Sequence, residues 1–168
     1  MLSVTSSYAI RAATSIAQRE KAMPASEKAM PASEIAEAVE VPLRYLQQIL
    51  KSLVKAGILS ATRGVGGGFR LQIRADEVFL GQIVRIFDDV ERQTTCPFGR
   101  EEMCSVPPNC ALHDQWMHVV SPYKDLLEKV TLADLADTCP DVSLDQIRVL
   151  GAGVAAPREG IPKKIRSF

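Results

Sequence analysis

Three of the chain's four cysteines fall within CPFGREEMCSVPPNCALH, from Cys96 to His113, with seven residues between Cys96 and Cys104 and five between Cys104 and Cys110. Thiolates are soft donors that suit iron–sulfur clusters and zinc alike. His113 follows Cys110 by three positions, so in a helix the two would share a face. Pro97, Gly99, Pro107 and Pro108 break regular structure and Asn109 favours a turn, so the backbone is free to wrap the thiols around one point. Structural zinc favours cysteine pairs separated by two to four residues, and no such pair occurs here. Three chemistries stay open on the residues alone: a cluster, a cluster-free thiol sensor, and zinc.

Two apolar-periodic stretches bracket this segment. Leu80, Ile83, Val84, Ile86 and Phe87 give an amphipathic helix over about Phe79 to Val90. After the cysteines, Leu112, Trp116, Val119, Val120, Tyr123, Leu126, Leu127 and Val130 continue spacings of three and four for several turns. That is more apolar stripe than a small domain needs for itself, so it is expected to form a dimer interface. Pro122 is expected to kink or restart the helix. Thr131 and Ser143 are candidate caps for two further turns, and Cys139, beside Pro140, is read as an incidental thiol.

Upstream, Tyr8, Ile10, Ala12, Ala13, Ile16 and Ala17 predict a helix over about Ser6 to Arg19. EKAMPAS then occurs twice in tandem, at Glu20–Ser26 and Glu27–Ser33, and its prolines make it a lengthened connector rather than a coiled-coil heptad. Ser33 is expected to cap a short helix carrying Ile35, Ala36 and Val39. A turn at Glu40 and Val41 leads to Pro42 at the first position of a longer helix ending before Gly57. That helix sets Leu46, Ile49, Leu50, Leu53 and Val54 on one side and Arg44, Gln47, Gln48, Lys51 and Lys55 on the other. Short helix, tight turn and longer basic-faced helix make a helix-turn-helix pattern. ILSATR and FRLQI, joined by GVGGG, add a hairpin wing. A phosphate-cradling loop is the poorer reading of these glycines, because they lead into a strand and no Gly-Lys-Ser/Thr opens a helix.

The expected architecture is mainly α with a small β-hairpin wing: a winged helix-turn-helix domain over 1–78, a ligand segment with dimerisation helices over 79–150, and a tail over 151–168 without a core-forming period. The formal net charge of zero conceals an asymmetry, for up to Ala75 ten bases face five acids, net +5, and the remainder carries net −5. Such a division suits one half facing a polyanion. Gln47 and Gln48 offer amide pairs for adenine edges, Arg44 can reach guanine or phosphate, and Tyr45 can hydrogen-bond a phosphate. Lys51, Lys55 and Arg70 add attraction blind to sequence. No stretch approaches a membrane span and the N-terminus does not read as a signal peptide, so a cytoplasmic protein with reduced thiols is expected.

Together SYAIRAA, SEIAEAVEVPLRYLQQILKSLVKAGIL, RGVGGGFRL and the triple-cysteine segment resemble the Rrf-type winged-helix regulators, the bacterial family of the iron–sulfur cluster regulator, the nitric-oxide-sensitive repressor and the rhizobial iron regulator. The resemblance spans about Met1 to Ala136. It implies a homodimer on double-stranded operator DNA, with Pro42–Lys51 as recognition helix and Arg63–Arg70, including Gly66 and Gly67, as wing. It also implies Cys96, Cys104 and Cys110 as thiolate ligands of a 2Fe-2S or 4Fe-4S cluster. His113 matches a histidine of the iron–sulfur cluster regulator and is the candidate fourth ligand, whereas Ser7 falls where the nitric-oxide-sensitive member has an acidic one. The function so implied is a transcriptional regulator whose operator affinity follows iron, redox or nitric oxide status. Two alternatives stand beside it: a cluster-free regulator of the same fold, working through thiol chemistry or a partner, and an iron–sulfur electron-transfer protein. No enzymatic constellation and no small-molecule substrate site are read.

Overall fold

A computed structural model describes residues 2–22, 29–64, 66–95 and 111–139. Its first helix, α1 (Val4–Ala22), turns small residues inward, and Ala9, Ala12 and Ala13 are fully buried with Ile16. Alanine costs little side-chain entropy and lets neighbouring elements approach closely. Packed around α1 are α2 (Ala32–Val39), α3 (Leu43–Lys55), α4 (Leu80–Phe87) and, late in the chain, α7 (Leu132–Thr138).

The short helix begins two residues earlier than expected. Ser33 lies inside α2 and is exposed, while Pro31 stands at the cap with extended backbone, its carbonyl accepting from the Ile35 N–H at 3.1 Å. Glu40 ends α2 in the left-handed region at φ 50°, with its N–H on the Glu37 carbonyl and that of Val41 on the Ala36 carbonyl. Pro42, expected as the first residue of α3, stands just outside as its cap. Its carbonyl receives the Tyr45 and Leu46 N–H groups. At the far end Gly57 has φ +76°, and the N–H groups of Gly57 and Ile58 return to the carbonyls of Val54 and Leu53. This is the Schellman closure that favours glycine.

The wing is an antiparallel pair, β1 (Leu59–Thr62) with β2 (Gly68–Leu71), in the register Leu59 to Leu71 and Thr62 to Gly68. The tandem repeat contributes to it. Met30 exchanges two backbone hydrogen bonds of 2.9 Å with Phe69, and Ala29 and Met30 are buried. A Cβ on Gly68 would lie 2.5 Å from the Met30 carbonyl oxygen, so glycine is required for this close approach. The second copy is therefore more than slack in a connector: its latter part docks against the wing.

A 3-10 turn (Ala75–Glu77) leads into α4, and the helix expected over about Phe79 to Val90 is divided in two. Asp88 and Asp89 separate α4 from α5 (Val90–Thr94), where the Asp89 carboxylate caps the Arg92 N–H at 3.0 Å. The long helix α6 (Ala111–Lys129) runs through Pro122 without restarting. Thr131 caps α7 as expected, in a reciprocal pair with Asp134. Two backbone hydrogen bonds, Leu80 N–H to Val130 carbonyl and Leu132 N–H to Val78 carbonyl, draw the C-terminal elements back onto the start of α4. Ile83 and Leu132 belong to the same core as Leu46, Leu50 and Leu53, so packing runs across the expected boundary at residue 78. A satellite core holds Leu80, Val84, Val90 and Leu127. Residues 140–168, with Ser143 and the expected tail, lie outside the described residues.

Candidate nucleic-acid interface and ligand segment

The outward face of α3 carries Arg44, Gln47, Gln48, Lys51 and Lys55, all exposed, because Leu46, Ile49, Leu50 and Leu53 are drawn into the core on the opposite side. Arg63 and Arg70 are exposed on the wing, Arg70 opposite Ser60. Arg44, Lys51, Lys55, Arg63 and Arg70 make no ion pair among the described residues. Several other cations are engaged: Arg19 with Glu34, Lys21 with Asp137, Arg74 with Asp76, Arg85 with Glu91 and Glu128, and Lys129 with Asp125. Helix α3 and the adjoining wing thus present exposed positive charge without ion-pair partners among the described residues. This is the electrostatic form suited to a phosphate backbone.

Gly66 is exposed at the wing tip, and a Cβ on Gly67 would meet the Thr62 carbonyl oxygen at 2.3 Å, so Gly67 serves the turn itself. Tyr45 is half-buried, its hydroxyl 2.7 Å from Thr5 Oγ1 and its ring edge-on to Tyr8. Burial pulls the half-buried Arg11 guanidinium below the ordinary arginine value, against the opposing influence of Tyr8 and Glu40. Its charge also lies over the Tyr8 ring at 5.8 Å. Neither Arg11 nor Thr5 carried a sequence signal for these interactions, since the Thr5–Tyr45 contact and the influence of Glu40 on Arg11 are tertiary.

Cys96, Cys104 and Cys110 lie outside the described residues. The flanks are described: Thr95, immediately before Cys96, offers its carbonyl to the Trp116 indole N–H at 3.1 Å, and His113 is half-buried in the first turn of α6. Trp116 thus fixes the near end of the segment, a task its place in an apolar stripe did not suggest. Among the described residues no group of three or more histidine, cysteine or acidic side chains is placed to hold a metal. Ser7 donates its hydroxyl to the Ser3 carbonyl at 3.1 Å, and Cys139 is a half-buried free thiol ending α7.

The α6 stripe divides by burial. Val120 and Leu127 are spent in the protomer, and Tyr123 and Val130 are half-buried against the satellite core. Burial, and secondarily Asp88, pushes the Tyr123 phenol above its ordinary value. Leu112, Val119 and Leu126, spaced seven apart, remain 40%, 63% and 45% exposed.

Residues 2–138 match the model of a family described as Rrf2, iron-dependent transcriptional regulator. The chain belongs to the Rrf2 family. Among named relatives of this Rrf2 chain, the HTH-type transcriptional regulator IscR of Aliivibrio salmonicida is 33% identical over 101 residues, covering 60% of this chain and 59% of that protein. IscR of Vibrio atlanticus is 30% identical over 128 residues, covering 76% and 70%. The chain therefore matches somewhat over half of the first relative's length. The winged-helix Rrf2 fold recurs in solved structures: T. potens IscR superposes with a TM-score of 0.62 at 21% identity, over 90% of this chain and 96% of that one. Staphylococcus aureus CymR gives 0.61 at 27%, over 82% and 99%. These relatives are named regulators, not enzymes. Among the described residues no helix is long and apolar enough to cross a membrane.

Proposed function

We propose that this chain is a homodimeric, cytoplasmic DNA-binding transcriptional regulator whose operator affinity is set by an iron–sulfur cluster held by Cys96, Cys104 and Cys110. The observation that carries the DNA-binding part is the set of unpaired cations on α3 and the wing, beside the exposed amides of Gln47 and Gln48. Charge of this kind on a helix-turn-helix and its wing neutralises phosphates, while amides at the helix surface read base edges. The family description, iron-dependent transcriptional regulator, supports an iron-linked function, and the two IscR relatives support transcriptional regulation.

The donor set suits a cluster better than zinc, because three thiolates at these spacings lack the close pair of a structural zinc site. A cluster would supply sensitivity to iron and oxidants at a segment between α5 and α6. The chain's own residues do the rest: Trp116 anchors Thr95, His113 is the candidate fourth donor, and α6 offers Leu112, Val119 and Leu126 to a second copy. Seven-residue spacing keeps one line of a helix facing a partner.

Anaerobic purification with iron and sulfide analysis tests the cofactor, and operator binding by loaded and apo protein over a library of sites tests the switch. Stoichiometric iron and sulfide with unequal affinities are expected; equal affinities would sink cluster control. For the DNA assignment, Lys51→Ala should reduce the slope of log affinity against log salt by about 0.9 per protomer. Affinity independent of salt would favour the electron-transfer alternative.

A further inference from the structure

The first turn of α1 meets two segments distant in the chain. Asp88, which ends α4, is half-buried, and its Oδ2 accepts from the Ser3 backbone N–H at 2.9 Å and the Ser6 hydroxyl at 2.7 Å. Ser6 is fully buried, so its hydroxyl proton depends on this pairing, while its oxygen also accepts from the Ser3 hydroxyl at 3.3 Å. On the adjacent residue, Thr5 Oγ1 and the Tyr45 hydroxyl lie 2.7 Å apart, and the Tyr8 and Tyr45 rings pack at 84° with centroids 6.2 Å apart. Tyr45 stands in the first turn of α3, beside Arg44 and two residues before Gln47. Asp88 adjoins Asp89, the cap of α5, and the carbonyl of Thr95 beyond that helix is held by Trp116.

We propose that the Asp88–Ser6 and Thr5–Tyr45 pairs make the first turn of α1 a link between the end of α4 and the DNA-reading helix, so that Thr5, Ser6 and Asp88 are positioning residues for operator recognition. The inference rests on the reading of α3 as the helix that binds DNA. Adjacent residues of a helix point about 100° apart, so one rigid turn holds two partners on different sides. Below it, Ala9, Ala12 and Ala13 are fully buried in the core, which leaves this turn little freedom to absorb a displacement of Asp88. A shift at the α4 end is therefore passed to Tyr45, and with it to the angle at which Arg44 and Gln47 leave α3. Because Tyr45 is engaged by Thr5, its hydroxyl acts on DNA through the helix it orients rather than as a phosphate contact.

The test is a set of double-mutant cycles on operator affinity at fixed salt, using the full chain. Its variants are Thr5→Val, Tyr45→Phe, Asp88→Ala and their pairs, with Asp88→Asn as the conservative substitution that keeps an acceptor. Each of the first three should weaken operator binding about threefold to tenfold, and each pair should cost little more than one member, including Asp88→Ala with Tyr45→Phe, which do not touch. Asp88→Asn should recover most of the loss. Affinity for non-operator duplex and the circular dichroism spectrum should stay as in the parent, which separates positioning from unfolding. Additive pairs, an unaffected Thr5→Val, or a Tyr45→Phe variant with a shallower salt dependence would overturn the proposal. Failure of the parent chain to bind any duplex would instead remove the DNA-reading assignment and this inference with it.

Discussion

The two 19-residue helices of this chain spend their apolar surface in different ways. Seven residues of α1 are buried, most of them alanine, serine or threonine, and other elements close over it. In α6 only Val120 and Leu127 are buried among the described side chains, whereas Leu112, Met117, Val119 and Leu126 remain exposed. Equal length therefore says little about role. A helix lined with small residues lets its neighbours approach and becomes a scaffold, while one with large apolar residues on more than one side leaves surface over after its own protomer is satisfied.

The contrast can be broken most sharply at Leu127, the point where α6 does belong to the protomer. Leu127→Ala should cost about 2–5 kcal/mol in chemical denaturation, because a fully enclosed leucine leaves a cavity. A cost under 1 kcal/mol would mean that α6 is loosely held. On its free line, Val119→Asp with Leu126→Asp should weaken self-association by at least about a hundredfold in sedimentation, as expected for the centre of an interface. Unchanged association would assign that line another purpose. In α1, Ala13→Leu adds volume where there is no room and should destabilise by about 1–3 kcal/mol; a neutral result would contradict the close packing.

Helix ends sharpen the same comparison at smaller scale. Glu40, a non-glycine in the left-handed region, closes α2, and Glu40→Gly should stabilise by about 0.5–1 kcal/mol by relieving backbone strain. In the C-terminal part, hydrogen bonds from the Thr131 backbone N–H and then its hydroxyl hold the Asp134 carboxyl below its ordinary value. A depressed carboxyl contributes stability above the unfolded value and loses it as pH falls through the folded one. The small melting-temperature deficit of Asp134→Ala should thus be present near neutrality and vanish on acidification; a deficit that persists in acid would point to lost packing.

Much of the helix-turn-helix was legible because its signals are local: the apolar period of α3, Gly57 after its end, and the glycines between two short strands. The exposed polar and basic side chains of α3 follow from that same period. The division of the α6 stripe was not legible, since Val119 and Val120 are equally apolar in sequence and only the tertiary packing of α6 on the rest of the protomer decides which is covered. Nor was the contact of Thr5 with Tyr45 or of Ser6 with Asp88, which join residues 40 and 82 positions apart.

The tandem EKAMPAS shows where the division falls. Ala22 and Ala29 occupy the same place in two identical heptapeptides, yet Ala22 is exposed at the end of α1 while Ala29 is buried outside any helix. Glu20, in the first copy, accepts the Leu71 N–H, and Met30, in the second, pairs with Phe69. Both copies thus touch β2, in different ways. Composition and local period dictated that helices, a turn and a hairpin would form and which charges would stay outside. How each of two identical segments meets β2, and which apolar residues are left for another surface, was decided by what stood opposite them, because burial and close approach depend on a neighbour that the local sequence does not contain.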